Sequence, residues 1–201
     1  MREKLSFKIN QQNIYYRTTF PGINKIICMN VLSSFKQVTT FIFDVDGVLT
    51  DGRVLVLESG EMARTMNVKD GYALQLAIKK GYKIFIVSGS SRSAVEKRMN
   101  YLGIKDIFFS VKDKGAFIAN LAVQHSFDLA ACLFMGDDMP DLPVFDKVGL
   151  GCCPADAVTD IKAVAQYISS KNGGDGCVRD VIEKVLKING HWDPLSSVAS
   201  T

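Results

Sequence analysis

Apolar positions between residues 38 and 190 fall into short unbroken runs that take turns with helical stripes. The runs at 41–45, 83–87, 107–110, 132–135 and 149–152 lack polar alternation, which suits strands covered on both faces of a parallel sheet. Between them, Leu74, Ala77 and Ile78 mark a helix that stops at Gly81, with Lys79 and Lys80 in its last turn. Val95, Met99 and Leu102 predict a second helix over 92–102, and further helices are predicted over 115–125, 138–145 and 158–164. Tyr167 and Ile168 predict an edge strand. Val178, Val181, Ile182, Val185 and Leu186 recur at i, i+3, i+4, i+7 and i+8 and predict a closing amphipathic helix. Residues 53–67 break the rhythm: two short strands around Glu58-Ser59-Gly60-Glu61 predict a β-hairpin. The whole predicts an α/β fold, a Rossmann-like three-layer sandwich around a mainly parallel sheet.

Residues 1–30 carry Phe7, Ile9, Ile14, Tyr15, Tyr16 and Phe20 without an assignable period and are expected to form a flexible N-terminal extension. One domain is expected over 31–190, followed by a C-terminal tail at 191–201. A chain of 201 residues that is 47% hydrophobic and 22% charged can bury one sizeable core. The first 40 residues hold six Lys/Arg against Glu3, leaving 18 basic and 20 acidic residues beyond them. The basicity is therefore local, and no global field for nucleic acid is expected. The apolar runs are too short to span a membrane and residues 1–30 lack a secretory pattern, so a cytoplasmic protein is expected. The five cysteines (Cys28, Cys132, Cys152, Cys153 and Cys177) show no C-x-x-C spacing and are expected to be reduced, packed thiols.

The chemistry lies at the strand ends. The apolar run at 41–43 passes into Asp44-Val45-Asp46, and a carboxylate there is costly unless a cation or strong donors neutralise it. The next runs end in Ser88-Gly89-Ser90, Lys112-Asp113-Lys114 and Gly136-Asp137-Asp138. Ligands of open α/β sheets bind outside the carboxyl ends of the strands. Carboxylates, a hydroxyl and lysines gathered there offer oxygen ligands to a hard cation and donors to an anion. That set suits phosphoryl transfer, with a carboxylate nucleophile forming an aspartyl-phosphate.

DVDGVLTDG at 44–52, VSGS at 87–90, Lys114 and GDDMPD at 136–141 together resemble the haloacid-dehalogenase superfamily of phosphatases over about residues 38 to 190. With only the hairpin at 53–67 in place of a cap, the chain resembles the capless branch, whose members form tetramers. NVKDG at 67–71, Arg98 and GGDGCVRDVIEKVL at 173–186 resemble the 3-deoxy-D-manno-octulosonate 8-phosphate phosphatases, which serve lipopolysaccharide precursor synthesis. The resemblance implies Asp44 as nucleophile and Asp46 as acid/base. It implies Asp44, the Asp46 carbonyl and Asp137 as magnesium ligands, Ser88 and Lys114 as phosphate-binding groups, and Asp138 and Asp141 as the rest of the acidic loop. Lys114 is preferred to Lys112 because it opens the helix at the family's spacing. Asn67, Lys69, Asp70, Gly71, Gln75, Ser90, Arg98, Lys114 and Arg179 fall at the implied substrate-binding positions, and the 173–176 loop is implied to reach a neighbouring subunit's site.

Two positions depart from the pattern. Ser90 stands where octulosonate phosphatases often carry Arg and sialic-acid-type relatives Glu, and Gln75 stands where an arginine is frequent. Arg92 or Lys69 are the available substitutes. A nine-carbon sialic-acid-like phosphate is the alternative substrate, and an idle regulatory or scaffold subunit the non-enzyme alternative. His125 and His191 lie away from the motifs and carry no assigned role.

Overall fold

The structure, a computed structural model, describes residues 8–10, 13–20 and 23–193. Strands β1 (Lys8–Asn10), β2 (Asn13–Phe20) and β3 (Ile23–Asn30) pair antiparallel in a sheet of their own. The sequence reading assigned this stretch no regular structure. β-branched and aromatic residues favour strand pairing, and the register sets Phe20 opposite Ile23. Helix α1 (Val31–Gln37) follows and buries Phe35.

The main sheet is all parallel. It is built from β4 (Thr40–Phe43), β7 (Lys83–Val87), β8 (Ile107–Phe108), β9 (Cys132–Met135), β10 (Leu150–Cys153) and β11 (Tyr167–Ile168), in the spatial order β11-β10-β9-β4-β7-β8. Side chains alternate between faces along each strand. Phe41, Phe43, Ile84, Ile86, Leu133 and Met135 enter one core, while Ile42, Phe85, Val87, Cys132 and Phe134 enter the other. The first core is closed by α2 (Val68–Lys79), α3 (Ala94–Tyr101) and α7 (Cys177–Ile188), and the second by α4 (Lys114–Gln124), α5 (Leu142–Phe145) and α6 (Thr159–Val164). The expected three-layer sandwich results. The stripe Val178, Val181, Ile182, Val185 and Leu186 is wholly buried, and each such side chain is worth about 1.5–3 kcal/mol on burial.

Local chemistry sets the element ends. Asn67 caps α2 by accepting from Lys69 N, and Asp113 caps α4 by accepting from Ala116 N. The hairpin β5 (Leu55–Val56) and β6 (Met62–Ala63) turns at Gly60, where φ is +82°. The helix predicted over 138–145 is instead a 3-10 turn, Met139–Asp141, followed by α5. Pro140 and Pro143 lack N–H donors and disfavour helical geometry before them. Cys132, Cys152, Cys153 and Cys177 are buried free thiols, as expected. Among the described residues no helix is long and apolar enough to cross a membrane.

Candidate active site

Strand β4 lies between β7 and β9, where the chain crosses first to one side and later to the other, and such a switch point opens a crevice at the strand ends. The strand ends at Phe43, and 45–49 form a π-type turn broken by Gly47 at φ +81°. Asp44 therefore stays at the sheet's edge, 7% exposed, while Asp46 is carried further out. Gly47 is required twice: its φ is left-handed, and a Cβ there would collide with the Asp137 carboxylate. A Cβ on Gly136 would likewise collide with the Asp141 carboxylate.

Lys114, 3% exposed, joins the ends of three elements. Its Nζ lies 2.9 Å from Asp44 Oδ1 and 2.6 Å from Asp141 Oδ1. Asp141 Oδ2 accepts from the backbone N–H of Asp137 at 3.0 Å and of Asp138 at 3.4 Å. Carboxylate oxygens of Asp44, Asp137 and Asp141 lie within 4.8 Å of one another. Burial and the Asp141 charge push Asp44 up to about 7 against the pull of Lys114. Burial, then Asp44, Asp141 and Asp138, push Asp137 up to about 7 as well. Burial would lower Lys114, but the two carboxylates hold it above its ordinary value. Three clustered carboxylates and one ammonium leave the site short of positive charge. An all-oxygen donor set of this kind fits a hard divalent cation such as magnesium.

The remaining predicted residues separate into groups. Ser88, buried at the end of β7, shares a 2.8 Å hydrogen bond with Ser90 Oγ, and its Oγ accepts from Ser90 N. Asp138 is exposed and caps the 3-10 turn by accepting from Met139 N, so its side chain is spent on structure. Lys112 is exposed. The Asp46 carboxylate joins none of the others; it pairs with Arg64, whose Nε lies 2.6 Å from Oδ1. Arg64 was missed by the sequence reading, because a cation 18 residues away across a hairpin leaves no spacing signature.

Arg64 also lines a cleft of about 760 Å³ between the hairpin and α3, together with Arg92, Arg98, Leu57, Met62 and Val95. Of the expected substrate residues, Arg98 is the one on this cleft, and Gly71 lies beneath it: a Cβ there would sit 3.1 Å from the Arg98 guanidinium. Lys69 and Arg179 line a separate basic hollow with Lys171, Lys184 and Lys187. Asp70 faces inward. It is 2% exposed, its Oδ1 accepts from Arg179 N at 2.7 Å, its Oδ2 lacks a partner, and burial raises it to about 6. Asn67 is occupied as a helix cap, and Gln75 Oε1 is buried without a partner.

The 173–176 loop packs on the 45–51 turn of its own chain. Gly174 N donates to Val48 O at 3.0 Å, and a Cβ on Gly173 would collide with Gly47 O. Arg179 is held by Glu183 and lies over the rings of Tyr72 and Trp192. The two glycines admit the backbone of the 45–51 turn, and the loop braces the same turn that positions Asp44 and Asp46.

Comparison with known proteins agrees with this geometry. A family model described as haloacid dehalogenase-like hydrolase matches residues 106–182. The 3-deoxy-D-manno-octulosonate 8-phosphate phosphatase of Escherichia coli K12 is 31% identical over 167 residues, 83% of this chain and 89% of that relative. The crystal structure of the same-named phosphatase from Yersinia pestis superposes with a TM-score of 0.79 at 30% identity, covering 83% of this chain and 90% of that one. That of Moraxella catarrhalis, in complex with magnesium, phosphate and a KDO molecule, gives 0.76 at 33% identity, covering 79% and 91%. With the signature carboxylates and lysine gathered at the end of β4, the chain belongs to the haloacid dehalogenase-like hydrolase family.

Proposed function

We propose that this hydrolase is a magnesium-dependent phosphatase that releases phosphate from 3-deoxy-D-manno-octulosonate 8-phosphate through an aspartyl-phosphate. The observation that carries the reading is the Asp44–Lys114–Asp141 chain of ion pairs beside Asp137, with Asp46 one turn further out. Asp44 attacks phosphorus, and the ester oxygen leaves as Asp46 delivers a proton to it. Asp46 then takes a proton from the water that attacks the phosphorus of the acyl phosphate, restoring Asp44. Lys114 and the Ser88 hydroxyl donate to the phosphoryl oxygens. Asp44, Asp137 and the Asp46 carbonyl would hold magnesium, with Asp141 orienting the shell through Lys114 and the loop N–H groups. Bound there, the ion neutralises phosphoryl charge so that an anionic nucleophile can approach.

The eight-carbon sugar acid is supported by the relatives' stated substrate and by a cleft bearing Arg64, Arg92 and Arg98. The hairpin exposes Leu55, Val56 and Met62 at 64%, 65% and 60%, a surface suited to burial in the homotetramer that the resemblance implies. The reading is that of a cytoplasmic enzyme acting on a soluble metabolite. Phosphate release from a panel of sugar phosphates, with and without magnesium, tests it. Magnesium-dependent preference for the octulosonate ester is expected; preference for a nine-carbon sialic-acid-like ester would transfer the substrate assignment, and no release from any ester would contradict the reading.

A further inference from the structure

Arg64 stands where the carboxylate cluster and the cleft meet. It follows β6 in the hairpin and lines the cleft, and its side chain is 12% exposed against 33% for Asp46. A guanidinium presents five donors in a rigid planar fork. Nε is committed to Asp46 Oδ1 at 2.6 Å, but Nη2 lies 3.5 Å from Oδ2, a long contact. The outer donors are therefore left for an anion in the cleft. The cleft's other guanidiniums are less committed than Arg64: Arg92 meets Glu96 at 3.4 Å and is largely exposed, and Arg98 lies 5.8 Å from the Tyr101 ring. Asp46 and Glu96 offset Arg64 and Arg92, so the pull on an anion in the cleft comes from their outer donors and from Arg98.

We propose that Arg64 is a positioning residue that joins a substrate carboxylate in the cleft to the orientation of Asp46. The Nε edge of one rigid plane holds Asp46 while its Nη edge pairs with the ligand. A carboxylate-bearing phosphate ester fixes the plane and with it Asp46. A neutral ester leaves Arg64 tethered only to an exposed hairpin, and Asp46 less well aimed. Selectivity for sugar-acid phosphates then appears in the chemical step as well as in binding. This rests on the phosphatase reading above and adds to it the residue that discriminates the substrate class.

The test is Arg64→Gln and Arg64→Lys, assayed with an eight-carbon 2-keto-3-deoxy sugar-acid phosphate and with a neutral sugar phosphate of similar length, both in saturating magnesium. Arg64→Gln should lower kcat on the acid roughly 10–100-fold, the scale of a slightly misplaced group, and raise its KM, while kcat on the neutral ester falls by less than about threefold on that same scale. Arg64→Lys should restore KM but not kcat, because an ammonium is a point charge without the planar fork. Equal losses on both esters, or full rescue of kcat by Lys, overturn the assignment. Calorimetric binding of the free sugar acid, which carries no phosphate, reads the cleft without turnover. Binding about tenfold weaker or worse in Arg64→Gln is expected; equal binding, or none to the wild type, overturns the inference. A wild type that binds the sugar acid through Arg64 yet hydrolyses neither ester would strike the phosphatase reading instead.

Discussion

The carboxylate cluster and the arginine cleft differ in how much of each side chain is already satisfied. Lys114 is buried and holds two carboxylates, and Asp141 spends both oxygens on Lys114 and two backbone N–H groups. The cleft's arginines are part-exposed or exposed, and their tightest fixed partner is Asp46. A buried ion network is costly to assemble, and loss of one member leaves a buried charge unpaired. A solvated wall of long cations is cheap to vary, except at Arg64, whose ion pair with Asp46 ties the cleft to the centre.

The largest expected effect is at the buried side. Lys114→Met leaves Asp44 and Asp141 without their cation, and loss of one partner of a buried pair costs about 3–5 kcal/mol. Urea denaturation of the magnesium-free protein should show that loss, with phosphate release abolished; unchanged stability would mean the network is solvated. Gly47→Ala comes next. It strains a φ of +81° and drives a Cβ into Asp137. Activity should fall on the order of 100-fold, and the rise in Tm that magnesium gives the wild type should be lost. A preserved magnesium-dependent rise would show that Asp137 is free to move.

On the cleft side, Arg98→Ala should weaken kcat/KM for the octulosonate ester by roughly 10–100-fold, the worth of one desolvated charge-assisted bond. A small aryl phosphate that does not enter the cleft should be nearly unaffected, and equal losses would place Arg98 in the scaffold. The smallest effect concerns Asp70, which belongs to neither region. Burial holds it at about 6 in place of the ordinary 3.8. Between those values the folded state binds more protons than the unfolded, so Asp70 makes stability fall as pH rises from about 4 to about 6. Asp70→Asn removes that slope. Relative to wild type its Tm should gain roughly 5–10 °C between pH 4 and pH 8, and a parallel pair of Tm–pH curves would refute the inward-facing carboxylate.

Most of the sheet was legible because its periodicity is physical. Strands β7, β9 and β11 begin and end where the apolar runs do, and α7 follows its stripe. The centre was legible because strand ends converge in any parallel sheet, which brings Asp44, Ser88, Lys114 and Asp137 to one edge. Contacts that depend on three-dimensional closure were not. Nothing in the spacing foretells that Arg64 reaches Asp46, that Asp70 turns under α7, or that Gly173 and Gly174 admit the turn at 45–51 of their own chain. Lys69 from α2 and Arg179 from α7, expected beside Arg98, line a different hollow.

The central claim is that Asp44 becomes phosphorylated. A rapid acid quench with phosphate-labelled octulosonate ester, followed by peptide mapping, tests it most directly. Label should appear on the peptide containing Asp44, only with magnesium present, and should vanish in Asp44→Asn together with turnover. Steady phosphate release with no labelled peptide, or turnover retained in Asp44→Asn, would contradict it.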